Sequence, residues 1–245
     1  MIDGSVLYTA PVGWTMDSVA WDGSMATLYD TRGELPARVV DTRSGATLFE
    51  VNTNGRFNHS GSLLATRGIG IYRIEEGDET SGGPDERALY RFFSPDGTRL
   101  AVTSVLADLS SAVRIYDTGP LLDGQPLPDA LLREFKTHKV DAAFGAWSED
   151  STLIAIGALG GGLVKVLDPR TGNLLQEFDT GTFFDRQWVA FHPTEPHIYT
   201  IGPNNTVRVY THDVDELLAI ARSRLTREMS DEECQQYFRE PCPTS

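Results

Sequence analysis

Along this chain apolar residues come in short runs that alternate with charged or polar ones, and each run is cut off by a polar turn. In "AVRIYD", "LVKVLD" and "TVRVY" apolar side chains occupy every second position, the period-two pattern of strands with two unlike faces. The runs recur in one order: an apolar strand, a polar turn, a second strand, a gap, then an alternating third strand. The turns are "WDGS" (Trp21–Ser24), "NHSGS" (Asn58–Ser62), "SPDGT" (Ser94–Thr98), "SEDST" (Ser148–Thr152) and "HPTEP" (His192–Pro196). The second strands are "MATLYD", "LLATRG", "RLAVTS", "LIAIGA" and "HIYTIG". A fourth strand follows in three units, as "ATLFEV", "LLREF" and "LLQEF", after turns such as "DTRSGA" and "DPRTGN".

Equivalent turn positions are unevenly spaced, 38 residues from Gly23 to Gly61, 36 from Gly61 to Gly97 and 54 from Gly97 to Ser151. The long interval holds "VLADLSS" and "GPLLDGQPLPDA", expected as surface loops. The second unit has no clear fourth strand, because "EEGDETSGGPDE" (Glu75–Glu86) is polar and turn-rich. Four short strands in about 40 residues is the signature of a β-propeller blade. The pattern predicts an all-β propeller of about five four-stranded blades over residues 1–212, followed by a helical tail over 213–245 packed on or beside it. The opening "SVLYTA" sits only 19 residues (Gly4 to Gly23) ahead of the first turn. That leaves room for one strand, which is expected to pair beside Thr206–Tyr210 and close the ring, hiding open sheet edges.

Several segments resemble WD-repeat blades: "THKVDAAFGAWSED", "FSPDGTRLAV", "VRIYDTG" and "VKVLDPRTGNLLQEF". The likeness covers roughly residues 17 to 212. Tyr116, Leu167 and Tyr210 replace the Trp that ends the motif, and only His138 stands at its His position. The family's His–Ser/Thr–Asp–Trp network is therefore expected to be incomplete, with apolar packing between blades as the main stabiliser. The tail "DVDELLAIARSRLTREMSDEECQQYFREPCP" resembles the C-terminus of bacterial multidomain signalling and regulatory proteins that end in such a propeller. In it, Asp213 or Asp215 caps a helix whose Leu217, Ile220, Ala221 and Leu225 share a face, and Ser230 with Glu233 forms a capping box for a second helix ending near Phe238.

The resemblance implies a non-enzymatic scaffold or sensor for protein partners. Loops entering first strands, and loops joining second to third strands, would form its contact face. On this chain those positions are Trp14, Arg32, Arg67, Lys136, Phe183, Phe184, Asp185 and Arg186, with "GTFFDRQW" (Gly181–Trp188) the richest stretch. A pocket at the channel mouth, for a small ligand or a hydrolytic reaction, is the alternative.

Composition narrows these readings. Lys and Arg number 21 against 35 Asp and Glu, a net charge of −14 and a pI near 4.7. This argues against nucleic acid and anionic membranes as partners. The absence of an apolar run of membrane length and of a signal-type N-terminus makes the cytoplasm the expected compartment. Cys234 and Cys242, the only cysteines, are expected either as reduced thiols or as a local disulfide in the tail.

No cofactor, metal or catalytic set is expected. In "GALGGGLVK" two apolar residues part Gly162 from Lys165 and a strand follows, so it reads as a hairpin rather than a phosphate loop. His192, Glu195 and His197 lie in a Pro-flanked turn with no third His or Cys nearby to complete a metal site. His59 and His138 are expected to bond to backbone at blade turns. "NHS" and "NNT" match the glycosylation acceptor but read as turn residues here.

Overall fold

A computed structural model describes residues 8–53, 55–66, 70–81, 88–108, 110–139, 142–158, 162–181, 188–201, 206–225, 227 and 230–237. The chain divides into two compact units, Met1–Tyr210 and Thr211–Ser245.

The first unit contains five antiparallel sheets among the described residues. Sheet one is β1 (Trp14–Val19), β2 (Met25–Asp30), β3 (Ala37–Asp41) and β4 (Thr47–Val51). Sheet two is β5 (Gly55–Phe57), β6 (Leu63–Thr66), β7 (Ile71–Arg73) and β8 (Asp78–Ser81). Sheet three is β9 (Ala88–Phe93), β10 (Arg99–Val105), β11 (Ser111–Asp117) and, after helices α1 (Thr118–Leu122) and α2 (Leu127–Ala130), β12 (Leu131–Lys136). Sheet four is β13 (Ala142–Trp147), β14 (Ile154–Ala158), β15 (Leu163–Leu167) and β16 (Leu174–Asp179). Sheet five is β17 (Val189–Phe191), β18 (His197–Ile201) and β19 (Val207–Thr211).

Every sheet is an up-and-down meander, so chain order equals strand order. Turn chemistry makes this possible. Gly23, Gly61 and Gly97 take φ values of 73°, 73° and 72° between first and second strands, a region only glycine enters cheaply. Ser151 holds the same place at φ 59°. In three of these turns an aspartate accepts from the hydroxyls around it: Asp22 from Ser24, Asp96 from Ser94 and Thr98, and Asp150 from Ser148 and Thr152.

Successive sheets are joined by apolar layers. Val39 and Val51 meet Leu64 and Tyr72 between sheets one and two, and Ile71 meets Phe93 and Val102 between two and three. Phe92 and Ile115 meet Trp147 and Ile156 between three and four, and Val164 and Phe178 meet Val189 and Ile198 between four and five. Apolar layers are the dominant favourable term of the fold.

Three expectations change here. The polar segment after β7 does hold a fourth strand, β8, paired through Ile71↔Ser81 and Arg73↔Asp78. The edge of β7 and the turn at Gly77, φ 69°, set it against a polar composition. The stretch "GPLLDGQPLPDA" is not a surface loop, because α1 and α2 bury Leu121 and Ala130 in the layer between sheets two and three. Among the described residues the rings of His59 and His138 do not bond to backbone. His59 stacks on Trp21. His138, 5% exposed, has no hydrogen-bond partner at Nδ1 or Nε2 among the described residues, although its backbone N–H donates to Ser111 Oγ at 3.2 Å.

Of the expected closing strand, residues 5–7 lie outside the described residues. Tyr8 and Ala10 are not in a strand and pack on Ala26, Leu28 and Val40 of sheet one. Val207 and Val209 of β19 stay 68% and 55% exposed.

The second unit holds α3 (Val214–Arg224), capped by Asp213, and α4 (Asp231–Tyr237). The Ser230–Glu233 capping box forms, Glu233 N donating to Ser230 Oγ at 3.3 Å and Ser230 N to Glu233 Oε2 at 2.9 Å. Arg227 donates twice to Glu233 at 2.7 Å, and that pairing chiefly lowers the Glu233 carboxyl to about 2. Cys234 is buried and disulfide-bonded, and the chain's other cysteine, Cys242, lies outside the described residues. No helix among the described residues is long and apolar enough to cross a membrane.

Candidate interaction sites

The turns between first and second strands lie side by side. Asp96 N donates to Ser151 Oγ at 3.4 Å, and a Cβ added at Gly97 would meet Asn58 Nδ2 at 3.6 Å. A Cβ at Gly61 would meet Ala20 Cβ at 3.6 Å. Inside this rim is a cleft of about 210 Å³ walled by Trp21, Phe57, His59, Phe92, Phe93 and Trp147. Its walls differ in kind. Trp147 is buried and its indole N–H donates to Phe92 O at 3.2 Å, which fixes it as structure. Trp21 is 73% exposed and stacks on His59 at 4.7 Å between ring centroids.

The four turns from Ala20 to Thr152 that form the rim carry Asp22, Asp96, Glu149 and Asp150 and no lysine or arginine. Hydrogen bonds from Ser24 lower the Asp22 carboxyl. At Asp96 and Asp150 burial pushes the carboxyl up, but the hydroxyl and backbone donors of the turn outweigh it and the net shift is downward. These carboxylates stay ionised at neutral pH, so the rim is anionic.

A second aromatic group lies along the first strands of sheets two to five. Phe144 of β13 stacks on Trp188 at 3.7 Å and 12°, meets Tyr90 of β9 at 4.3 Å, and has the Arg56 guanidinium 5.7 Å from its ring centre. Phe144 is buried and Trp188 is 44% exposed, so the indole presents a supported face.

Of the residues expected to contact a partner, Arg67, Phe183, Phe184, Asp185 and Arg186 lie outside the described residues. Trp14 is half-buried with the Arg38 guanidinium 4.5 Å above its ring. Arg32 is exposed in the turn after β2. Lys136 donates to Asp108 at 2.8 Å, a pairing that holds that carboxyl far below its usual range. The richest stretch, Gly181–Trp188, is represented at its end by Trp188. Sequence reasoning missed Trp21, His59, Tyr90 and Phe144. For the first two a signal exists, since Trp21 and His59 hold the same position in consecutive turns, "AWDGS" and "NHSGS".

In the fifth turn His192 Nδ1 accepts from the backbone of Thr194 at 3.2 Å and Glu195 at 2.9 Å, while Glu195 pairs with His197 at 3.0 Å. The three side chains thus serve the turn. Among the described residues no group of three or more His, Cys, Asp or Glu is placed to hold a metal.

No protein-family model matches the chain, and no curated protein matches it. Solved structures do. One, from the "Crystal Structure of Mitotic Checkpoint Complex", aligns with a TM-score of 0.63 at 18% identity over 85% of this chain and 67% of its own. At that identity the likeness speaks for the fold, a WD-repeat-like β-propeller.

Proposed function

We propose that this protein is a non-enzymatic WD-repeat-like scaffold that binds protein partners, working within a bacterial signalling or regulatory assembly in the cytoplasm. The observation that carries the reading is Trp21, largely exposed and stacked on His59 over an aromatic-walled cleft. Isolated large aromatics of this kind are the residue type most enriched in binding hot spots. The anionic rim selects a partner with an aromatic or apolar anchor and basic flanks. The loops bearing Trp14, Arg32 and Lys136, with Arg67 and Phe183–Arg186, form a second contact region in this proposal. Five blades, closure by the N-terminal segment and a tail lying on or beside the propeller belong to it too.

The test is retention of partner proteins from the native source on the full chain, compared with Trp21→Ala and with a Trp14→Ala/Lys136→Ala variant. A hot-spot tryptophan is worth about 2 kcal/mol or more, so Trp21→Ala should cost at least tenfold in affinity for the partner retained. Equal binding by all three proteins, or retention of small metabolites alone, would overturn the reading.

A further inference from the structure

In a chain of net charge −14, three arginines line one cleft. Arg99 opens β10, Arg133 lies in β12, and Arg170 belongs to the turn between β15 and β16 of the next sheet. With Ile115, Leu132 and Pro169 they enclose about 220 Å³. We propose that this cleft is a binding site for a phosphate monoester.

The fold builds it at the seam of sheets three and four. Ile115 pairs with Arg133, and Arg99 pairs with Asp117 two residues along the same strand, which puts both arginines and Ile115 on one face of sheet three. That face packs on sheet four through Ile115, Val113 and Trp147. The turn that carries Arg170 is anchored beside it, because a Cβ at Gly172 would meet Phe135 Cβ at 3.1 Å.

Two nearby carboxylates are engaged within their own turns. Asp117 accepts from Gly119 N at 2.9 Å as the cap of α1. Asp168 accepts from Arg170, at 2.8 Å from its backbone N and 3.4 Å from Nε, which leaves the terminal amino groups of that guanidinium for a ligand. Asp96 is close enough to Arg99 for its carboxyl to feel the charge. Among the described residues the guanidinium groups of Arg99 and Arg133 make no ion pair or hydrogen bond. Arg99 and Arg133 thus place two uncompensated positive charges on one face of sheet three, and a dianion between them relieves their repulsion.

Geometry and size select the ligand. One bidentate arginine satisfies a carboxylate, whereas three forks match the three terminal oxygens of a phosphate monoester. A water occupies about 30 Å³ of liquid, so the cleft has room for a phosphate group. Leu132 and Pro169 offer an apolar wall to the ester carbon. Distant carboxylates do not veto binding, since charges beyond about 8–10 Å are screened at ordinary ionic strength.

The test uses the full chain and calorimetric titration with phenyl phosphate, benzoate, and a phosphoserine peptide with its unphosphorylated twin. Phenyl phosphate should bind saturably and benzoate at least about tenfold more weakly, because losing a charged hydrogen-bonded contact costs roughly that factor or more. Arg133→Gln should weaken phenyl phosphate about tenfold, Arg133→Lys by less, and Arg99→Gln/Arg133→Gln/Arg170→Gln should abolish binding with the thermal transition unchanged. A phosphopeptide that binds more tightly than phenyl phosphate makes the source a phosphorylated partner, and equal binding makes it a small ester. Absence of saturable binding up to about 10 mM, or binding that survives the triple substitution, overturns the proposal.

Discussion

His138 should make this protein acid-labile by a calculable amount. The imidazole is 5% exposed, both ring nitrogens lack partners among the described residues, and Lys165, whose ammonium donates to Thr137 O at 2.6 Å, adds positive charge nearby. Burial first, and the lysine second, lower its pKa from 6.5 to about 4. The unfolded chain therefore binds a proton between these values that the folded chain refuses, so stability is present above pH 6.5 and is lost as pH falls toward 4. Each pKa unit is worth about 1.4 kcal/mol, and the whole shift is worth about 3 kcal/mol. Between pH 7 and about pH 4.5 roughly 2 kcal/mol of this should disappear. The assay is urea unfolding at both pH values for the wild type and His138→Leu. Carboxylates such as Asp96 and Asp150 are common to the two proteins and cancel in the comparison. The wild type should lose about 2 kcal/mol more than the variant. At neutral pH His138→Leu should be no less stable, because the ring forfeits no hydrogen bond. Equal losses in both proteins would refute the reasoning.

Other positions give equally direct tests. A Cβ at Gly145 would sit 2.2 Å from Phe92 Cζ and 2.8 Å from Ile156 Cδ1, so Gly145→Ala should cost about 1–3 kcal/mol in chemical unfolding through overpacking. Ser151 carries φ 59° where the equivalent turns have glycine, and its Oγ accepts from Asp96 N, so Ser151→Gly should change stability by less than about 0.5 kcal/mol in chemical unfolding, as relief of left-handed strain is offset by added chain entropy and the lost hydrogen bond. Deleting residues 1–12 uncovers Ala26, Leu28 and Val40 on sheet one and should lower the melting temperature and promote aggregation. An unchanged melting temperature would show that Tyr8 and Ala10 seal nothing.

The strands with alternating apolar residues were legible because each face of a sheet demands its own chemistry at every second residue. β11 and β15 follow from "AVRIYD" and "LVKVL" alone, and the caps at Asp213 and Ser230 follow from spacing of three residues or fewer. β8 was not legible, since its polar residues are held by pairing with β7 rather than by their own preference. Nor were α1 and α2, whose burial of Leu121 and Ala130 depends on an apolar layer that only stacked sheets create.

The sequence by itself set the repeat, the turn positions and the sign of the charge, because these depend on residues within a few places of one another. Tertiary structure decided what the turns and seams contain. Trp21 and His59 stack although 38 residues apart, and Arg99, Arg133 and Arg170 meet across spacings of 34 and 37. No local preference encodes those meetings. They arise because burying the apolar faces between neighbouring sheets fixes the stacking, and the stacking carries the polar ends of the strands into register.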